Sequence, residues 1–434
     1  MTKINYMSGF GNEFESEALV DALPKGCNTP QHMKYGLYTE QLSGSAFTTP
    51  NHLNQRTWLY KIRPSIAQSS FRSFNQPHLQ SAPFDTEFTT PNPMRWDGLD
   101  TPSKATDFID ALWTIAGNGS TDEWSGLAIH LYSCNTSMKK TKRYFYNSDS
   151  EMMIVPQKGA LTLRTELGII KLSPEEIAVI PRGLKFAVDL IEKDARGYVC
   201  ENYGHPFTLP EKGPIGANGL ANPRDFLTPV AAFEEDETPC TLITKLNGKL
   251  FERDLDHSPL DVVAWHGNYV PYKYDLKLFQ AINSVNFDHP DPSIFTVLTS
   301  PSHITGTANV DFVIFPPRWV VAENTFRPPY FHRNIMSEFM GLINGVYEGK
   351  TSGRFVPGGA SLHNCMTPHG PDKKTFEHAI KEEQKPVHLS GAIAFMFESR
   401  YIMHPTEQAS TSPLLQEDYL KSWAGLEKNF NKDD

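Results

Sequence analysis

Five residues toward the end of the chain could together hold a divalent metal. His289, His332, His363 and His369 surround Glu338 in the stretches FDHPDPSIF, RPPYFHRNIMSEFMGLINGVYEG and PGGASLHNCMTPHG. A single histidine is more often a satisfied structural group than a ligand. With fifteen in the chain, it is the clustering that sets these four apart. Two neutral imidazoles and one carboxylate, with the other positions open, form the donor set of non-haem Fe(II) oxygenases. One carboxylate leaves a divalent ion with net positive charge, which attracts an anionic oxygen such as a phenolate. Open positions let O2 and a substrate sit side by side. Zinc or manganese accepts the same donors, so the set does not fix the ion; iron heads the candidates.

Spacing places a condition on this chemistry. His332 and Glu338 are six residues apart. On a helix they would point about 120° apart. On a straight strand they would share a face but stand about 20 Å apart. Donors to one ion lie within about 3 Å of each other, so the chain must bend between Arg333 and Ser337. Pro328 and Pro329 argue against a helix just before. Asn344-Gly345 between apolar runs predicts a two-residue hairpin turn, pairing Ile343 with Val346 and Leu342 with Tyr347. Glu338 and Tyr347 would then face one interior, roughly 13 Å apart along the strands. That suits a tyrosine lining a substrate space and suits a core tyrosine equally well.

The elements that must carry these residues read as β structure. The chain has 434 residues, among them 33 Pro and 29 Gly, which interrupt helical periodicity and favour short strands joined by turns. GALTLRTELGIIKL and SPEEIAVIPRGLKFAVDL show strand patterning, as do SIFTVLTS, VDFVIFPPRWVV, SEFMGLINGVYEG and GAIAFMFES. FIDALWTIAG (108–117) predicts a short helix, and DYLKSWAGLEKNF a C-terminal amphipathic one. The glycines of EKGPIGANGLANPRDF do not match a phosphate-binding GxGxxG. A formal net charge of −10 without a long basic block argues against a nucleic-acid binder. No stretch approaches the roughly 18 apolar residues of a membrane span. No secretory leader pattern is visible at the N-terminus. Five cysteines without a CxxC pair fit ordinary thiols in a reducing cytoplasm.

Over essentially its whole length the chain resembles the homogentisate 1,2-dioxygenase family. The resemblance is carried by YMSGFGNEFESEAL, LYTEQLSGSAFT, IVPQKGALTL, GPIGANGLANPRDF, DHPDPSIFTVLT, FVIFPPRWVVAENTFRPPYFHRNIMSEFMGLI and SLHNCMTPHGPD. It implies a mainly β fold of cupin-type (jelly-roll) β-sandwich or barrel modules with a few short helices. An N-terminal domain, residues 1–278, would contain a metal-free cupin-like module at about 150–190. A C-terminal domain, residues 279–434, would be catalytic. The resemblance further implies one mononuclear Fe(II) per subunit, held by His332, Glu338 and His369, with His289 as acid/base. Tyr347 and His369 correspond to substrate contacts, and His363 to a neighbour of the site that hydrogen-bonds substrate or supports a ligand. The implied reaction opens the ring of homogentisate with O2 to give 4-maleylacetoacetate, in tyrosine and phenylalanine catabolism. The implied setting is a cytoplasmic homo-hexamer, a dimer of trimers.

The chain departs from the general cupin motif in three places. His332-Arg333-Asn334 lacks the second histidine of HxH, although Glu338 and Gly345 keep the E-x6-G spacing. His369 lies ten residues beyond Gly359 of Pro357-Gly358-Gly359. Phe186 stands where the first module would carry a metal histidine. Two rival readings are a non-catalytic cupin and a Zn- or Mn-dependent isomerase or hydrolase that needs no O2.

Overall fold

The computed structural model describes residues 4–67, 69–213, 216, 219–283, 288, 291–347 and 354–432. Three large sheets of nine, seven and six strands dominate it, antiparallel except where Arg143–Asn147 runs parallel to Cys240–Leu246. A nine-stranded sheet has at its centre the strands Glu176–Ile180, Glu151–Lys158, Ala195–Asn202 and Ser125–Cys134. Their near-continuous apolar runs are explained by burial on both faces. In the strand Glu151–Lys158, Met153 and Val155 enter one core while Met152 and Ile154 enter another. The second core is closed by a seven-stranded sheet, in which the strand-patterned stretch GALTLRTELGIIKL forms two antiparallel strands, Leu161–Thr165 and Gly168–Leu172.

The first core is closed by a six-stranded sheet that carries the candidate site. Its strand order is Thr296–Pro301, Ala308–Phe315, Ile393–Ser399, Ser337–Asn344, Ala360–His363 and Met94–Trp96. The last of these comes from the N-terminal half of the chain. In return, His404–Pro405 from the C-terminal half extends the nine-stranded sheet. The shared core includes Val155 and Tyr198 on one side and Phe312, Phe339 and Phe395 on the other. Among the described residues, no helix is long and apolar enough to cross a membrane.

Three local expectations are corrected. FIDALWTIAG is helical only over Phe108–Ala111, where Asp107 caps the N–H groups of Ile109 and Asp110. From Leu112 the chain pairs with Ser125–Cys134, and sheet pairing overrides the helical pattern. The C-terminal amphipathic helix is reduced to a 3-10 turn, Tyr419–Trp423, followed by Gly425 at φ 83°. The Asn344-Gly345 hairpin does not form. Both edges of Ser337–Asn344 are already taken, by Ala360–His363 and Ile393–Ser399. The Asn344 side chain instead hydrogen-bonds Glu175.

Candidate metal centre

Glu338 sits on the strand Ser337–Asn344 in a transverse row that crosses the six-stranded sheet. The row reads Thr299, Asp311, Glu398, Glu338, His363, each paired with the next. Like charges directly opposite one another on a sheet are destabilising, so three neighbouring carboxyls need an explanation. Burial pushes the Asp311 carboxyl up to about 6. Burial, reinforced by the charge of Glu338, pushes Glu398 up to about 7. Between Glu338 and Glu398 lies the side-chain amide of Asn334. Its Nδ2 donates to Glu338 Oε1 at 3.0 Å and to Glu398 Oε1 at 2.5 Å.

The imidazoles come from irregular chain. His332 and His369 form an isolated β-bridge, with backbone bonds of 2.9 Å (His332 N to His369 O) and 3.1 Å (His369 N to His332 O). After His332 the chain bends at Ile335 and Met336 before the strand starts, which meets the condition set by the six-residue spacing. Met366 N–H, bonded to Asn334 O at 2.7 Å, ties this bend to the loop that leads to His369.

His332 Nε2 lies 3.5 Å from Glu338 Oε1, and His369 Nε2 lies 2.9 Å from Glu338 Oε2. Among the described residues, these three form one group whose donor atoms all fall within 4.8 Å of one another. The other ring nitrogens settle the tautomers. His332 Nδ1 is 2.8 Å from Tyr330 O and His369 Nδ1 is 2.9 Å from Thr367 O. A carbonyl oxygen only accepts, so both Nδ1 atoms carry hydrogen, and in the neutral rings both Nε2 atoms present lone pairs. Those lone pairs face a carboxylate. Acceptor facing acceptor at 2.9 Å requires a cation between them, either a proton or a metal ion.

The electrostatics agree. Burial alone would raise the Glu338 carboxyl, but the imidazoles of His332 and His369 and the amide of Asn334 hold it well below the usual carboxylate range. Burial would lower His332, and the Glu338 carboxylate overrides it to raise its pKa. The His332 side chain is 23% exposed, against 8% for His369 and 9% for Glu338, so the group opens on the His332 side.

The other sequence candidates are placed differently. His289 lies outside the described residues. Tyr347 is buried, its ring 5.7 Å from that of Phe315 and 6.3 Å from that of Phe355. His363 is buried opposite Glu338; its ring stacks on His369, and its Nε2 lies 2.8 Å from the Tyr419 hydroxyl. Sequence reasoning missed Asn334 and Glu398. Glu398 had a signal, because it shares a strand face with Ala394 and Met396 in an otherwise apolar run. Asn334, two residues from His332 in an irregular segment, had none.

Two domain families together match nearly the whole chain: Homogentisate 1,2-dioxygenase N-terminal over residues 5–276 and Homogentisate 1,2-dioxygenase C-terminal over 277–430. A homogentisate 1,2-dioxygenase of Rhodopseudomonas palustris is 58% identical over 427 residues, covering 98% of this chain and 95% of the relative. One from Nitrobacter hamburgensis is 57% identical over the same shares. Among solved structures, an oxalate decarboxylase variant of Bacillus subtilis is 11% identical with a TM-score of 0.31, covering 71% of this chain and 78% of that one. That structural similarity is too slight to bear on the site. The full-length sequence matches decide the affiliation: the chain belongs to the homogentisate 1,2-dioxygenase family.

Proposed function

We propose that the chain opens the aromatic ring of homogentisate with both atoms of O2, giving 4-maleylacetoacetate in tyrosine and phenylalanine breakdown. His332, Glu338 and His369 would hold one Fe(II) through Nε2, a carboxylate oxygen and Nε2. The observation that carries this reading is the lone-pair arrangement: two imidazoles tied at Nδ1 to carbonyls, both turning Nε2 toward one carboxylate. Bound there, the iron would supply adjacent open positions for O2 and a phenolate.

The chain's own residues do the rest. Glu338 contributes a single negative charge, so the site stays net positive and attracts the substrate's phenolic oxygen. The Tyr347 hydroxyl would contact the polar substituents of the substrate ring. His289 would accept the phenolic proton, since an imidazole titrates near neutrality. His363 supports the ligand His369. The catalytic domain would be residues 279–434, and the N-terminal domain, residues 1–278, would hold a metal-free module at about 150–190. The assembly would be a cytoplasmic hexamer built as a dimer of trimers.

An oxygen-electrode trace on Fe(II)-reconstituted protein with homogentisate tests the reading. Stoichiometric oxygen uptake with product absorbance is expected. Turnover of a substrate without oxygen consumption would instead favour a Zn or Mn isomerase or hydrolase.

A further inference from the structure

A column of side chains leads away from His369 through His363, the neighbour of Glu338 on the side opposite Glu398. The His363 ring lies flat on that of His369, with centroids 4.1 Å apart and planes 7° apart. His363 Nε2 meets the Tyr419 hydroxyl at 2.8 Å. Tyr419 is buried, and the Arg95 guanidinium lies 3.8 Å over its ring. Arg95 belongs to Met94–Trp96, the strand that the N-terminal half of the chain lends to the site's sheet. The turn that carries Tyr419 also carries Trp423, whose Nε1 donates to Gly370 O at 3.3 Å and Pro371 O at 3.1 Å, directly after His369. The C-terminal turn therefore reaches the His369 loop from two directions.

The backbone bridge to His332 and the Nδ1 bond to Thr367 O locate the His369 imidazole. The Nδ1 bond restrains rotation about Cβ–Cγ without stopping it alone, and any remaining rotation swings the Nε2 lone pair. A parallel ring at 4.1 Å blocks the swing, provided that ring is itself held. The Tyr419 hydroxyl interacts with Arg95 and Ser361, and toward the metal centre it holds His363.

We infer that Tyr419 is a positioning residue for the metal centre: through its hydroxyl it fixes His363, and through the stacked His363 ring it fixes the plane of His369 and the direction of its Nε2. The inference rests on the assignment of His369 as a metal ligand. Partners that orient a ligand from behind typically change metal affinity by about 10–100-fold when removed.

The test is a Co(II) titration of the metal-free full chain, read by affinity and by the visible ligand-field bands. Tyr419→Phe is expected to weaken Co(II) binding by about tenfold or more and to shift the bands, with the melting temperature of the metal-free protein little changed. In a His363→Phe background the same substitution is expected to have no further effect on Co(II) affinity or on the bands, because the hydroxyl then has no imidazole to hold. Wild-type protein that does not bind Co(II) would overturn the ligand assignment and this inference with it. Wild-type binding matched by Tyr419→Phe in affinity and spectrum would overturn the inference alone. Additive losses in the double variant would also overturn it, in favour of simple packing. Should Tyr419→Phe not fold, His363→Leu removes the stacked ring and carries the same expectation and the same refutation.

Discussion

Replacing Asn334 by alanine should release the metal without unfolding the sheet. Its amide orientation is settled by geometry: Oδ1 accepts the backbone N–H of Met336 at 3.1 Å, so Nδ2 must face the carboxylates. Nδ2 then donates to both Glu338 and Glu398. In Asn334→Ala, Glu338 Oε1 loses its donor, and two carboxyls paired across adjacent strands face each other with nothing between them. A hydrogen bond to a charged group contributes about 1.5–3 kcal/mol. If that loss falls on the bound state, affinity drops by roughly 10–100-fold, since about 1.4 kcal/mol is a factor of ten. The same range holds for second partners of metal ligands in general. The assay is competition against a metal buffer for Fe(II) or Co(II), followed by oxygen uptake at saturating iron. Glu398→Gln keeps an acceptor for Asn334 while removing the second carboxyl, and should bind close to wild type. Unchanged metal affinity in Asn334→Ala would refute the reasoning, because the amide would then be holding the bend and not the ligand.

Glu338→Gln or His369→Ala should lose both metal and ring cleavage while keeping a cooperative thermal transition; full activity in an iron-free His332→Ala protein would sink the ligand assignment. Burial raises the Glu151 carboxyl from about 4.5 to about 7. Between those values the folded state keeps a proton that the unfolded state has released, so stability falls as pH rises through this window, by roughly 3 kcal/mol. Glu151→Gln retains the Oε1 that accepts from Asn202 and Phe207, so urea unfolding should show it more stable than wild type at about pH 8 and nearly equal at about pH 4.5. Gly345→Ala places a Cβ 2.0 Å from Gly391 O at a φ of 76°. It should cost more than about 1 kcal/mol, read as a lower melting temperature in the metal-free protein.

The strands of the site's sheet were legible because alternation and apolar runs depend on nearest neighbours along the chain. Glu338, His332 and His369 were legible as residue types, and the six-residue spacing even stated the bend that the chain makes at Ile335 and Met336. What was not legible depends on pairing across long separations. Asn344-Gly345 has the composition of a hairpin turn, yet the return strand it predicts is displaced by Ala360–His363 and Ile393–Ser399, which hold both edges. Leu112–Ser120 has helical spacing at its start and becomes a strand because Ser125–Cys134 lies beside it. The side of Tyr419 that matters could be read only as one apolar position of an expected helix, since its contact with His363 spans 56 residues.

The division of labour between strand and loop explains why the site needs both. A strand presents Glu338 in fixed register, flanked by Glu398 and His363. The residues beyond it on the same strand face are Met340 and Leu342, so this strand supplies one carboxylate and no imidazole. The imidazoles must arrive on chain that is free to bend, and such chain positions its side chains poorly unless it is tied. Here it is tied three times. The backbone bridge joins His332 to His369, the Nδ1 bonds to Tyr330 and Thr367 set the tautomers, and Met366 N–H closes onto Asn334. Each tie uses backbone groups that an irregular segment must satisfy in any case. The bonds that keep these loops folded thus also aim both lone pairs at Glu338, and a substitution that loosens one loop should disturb both imidazoles together.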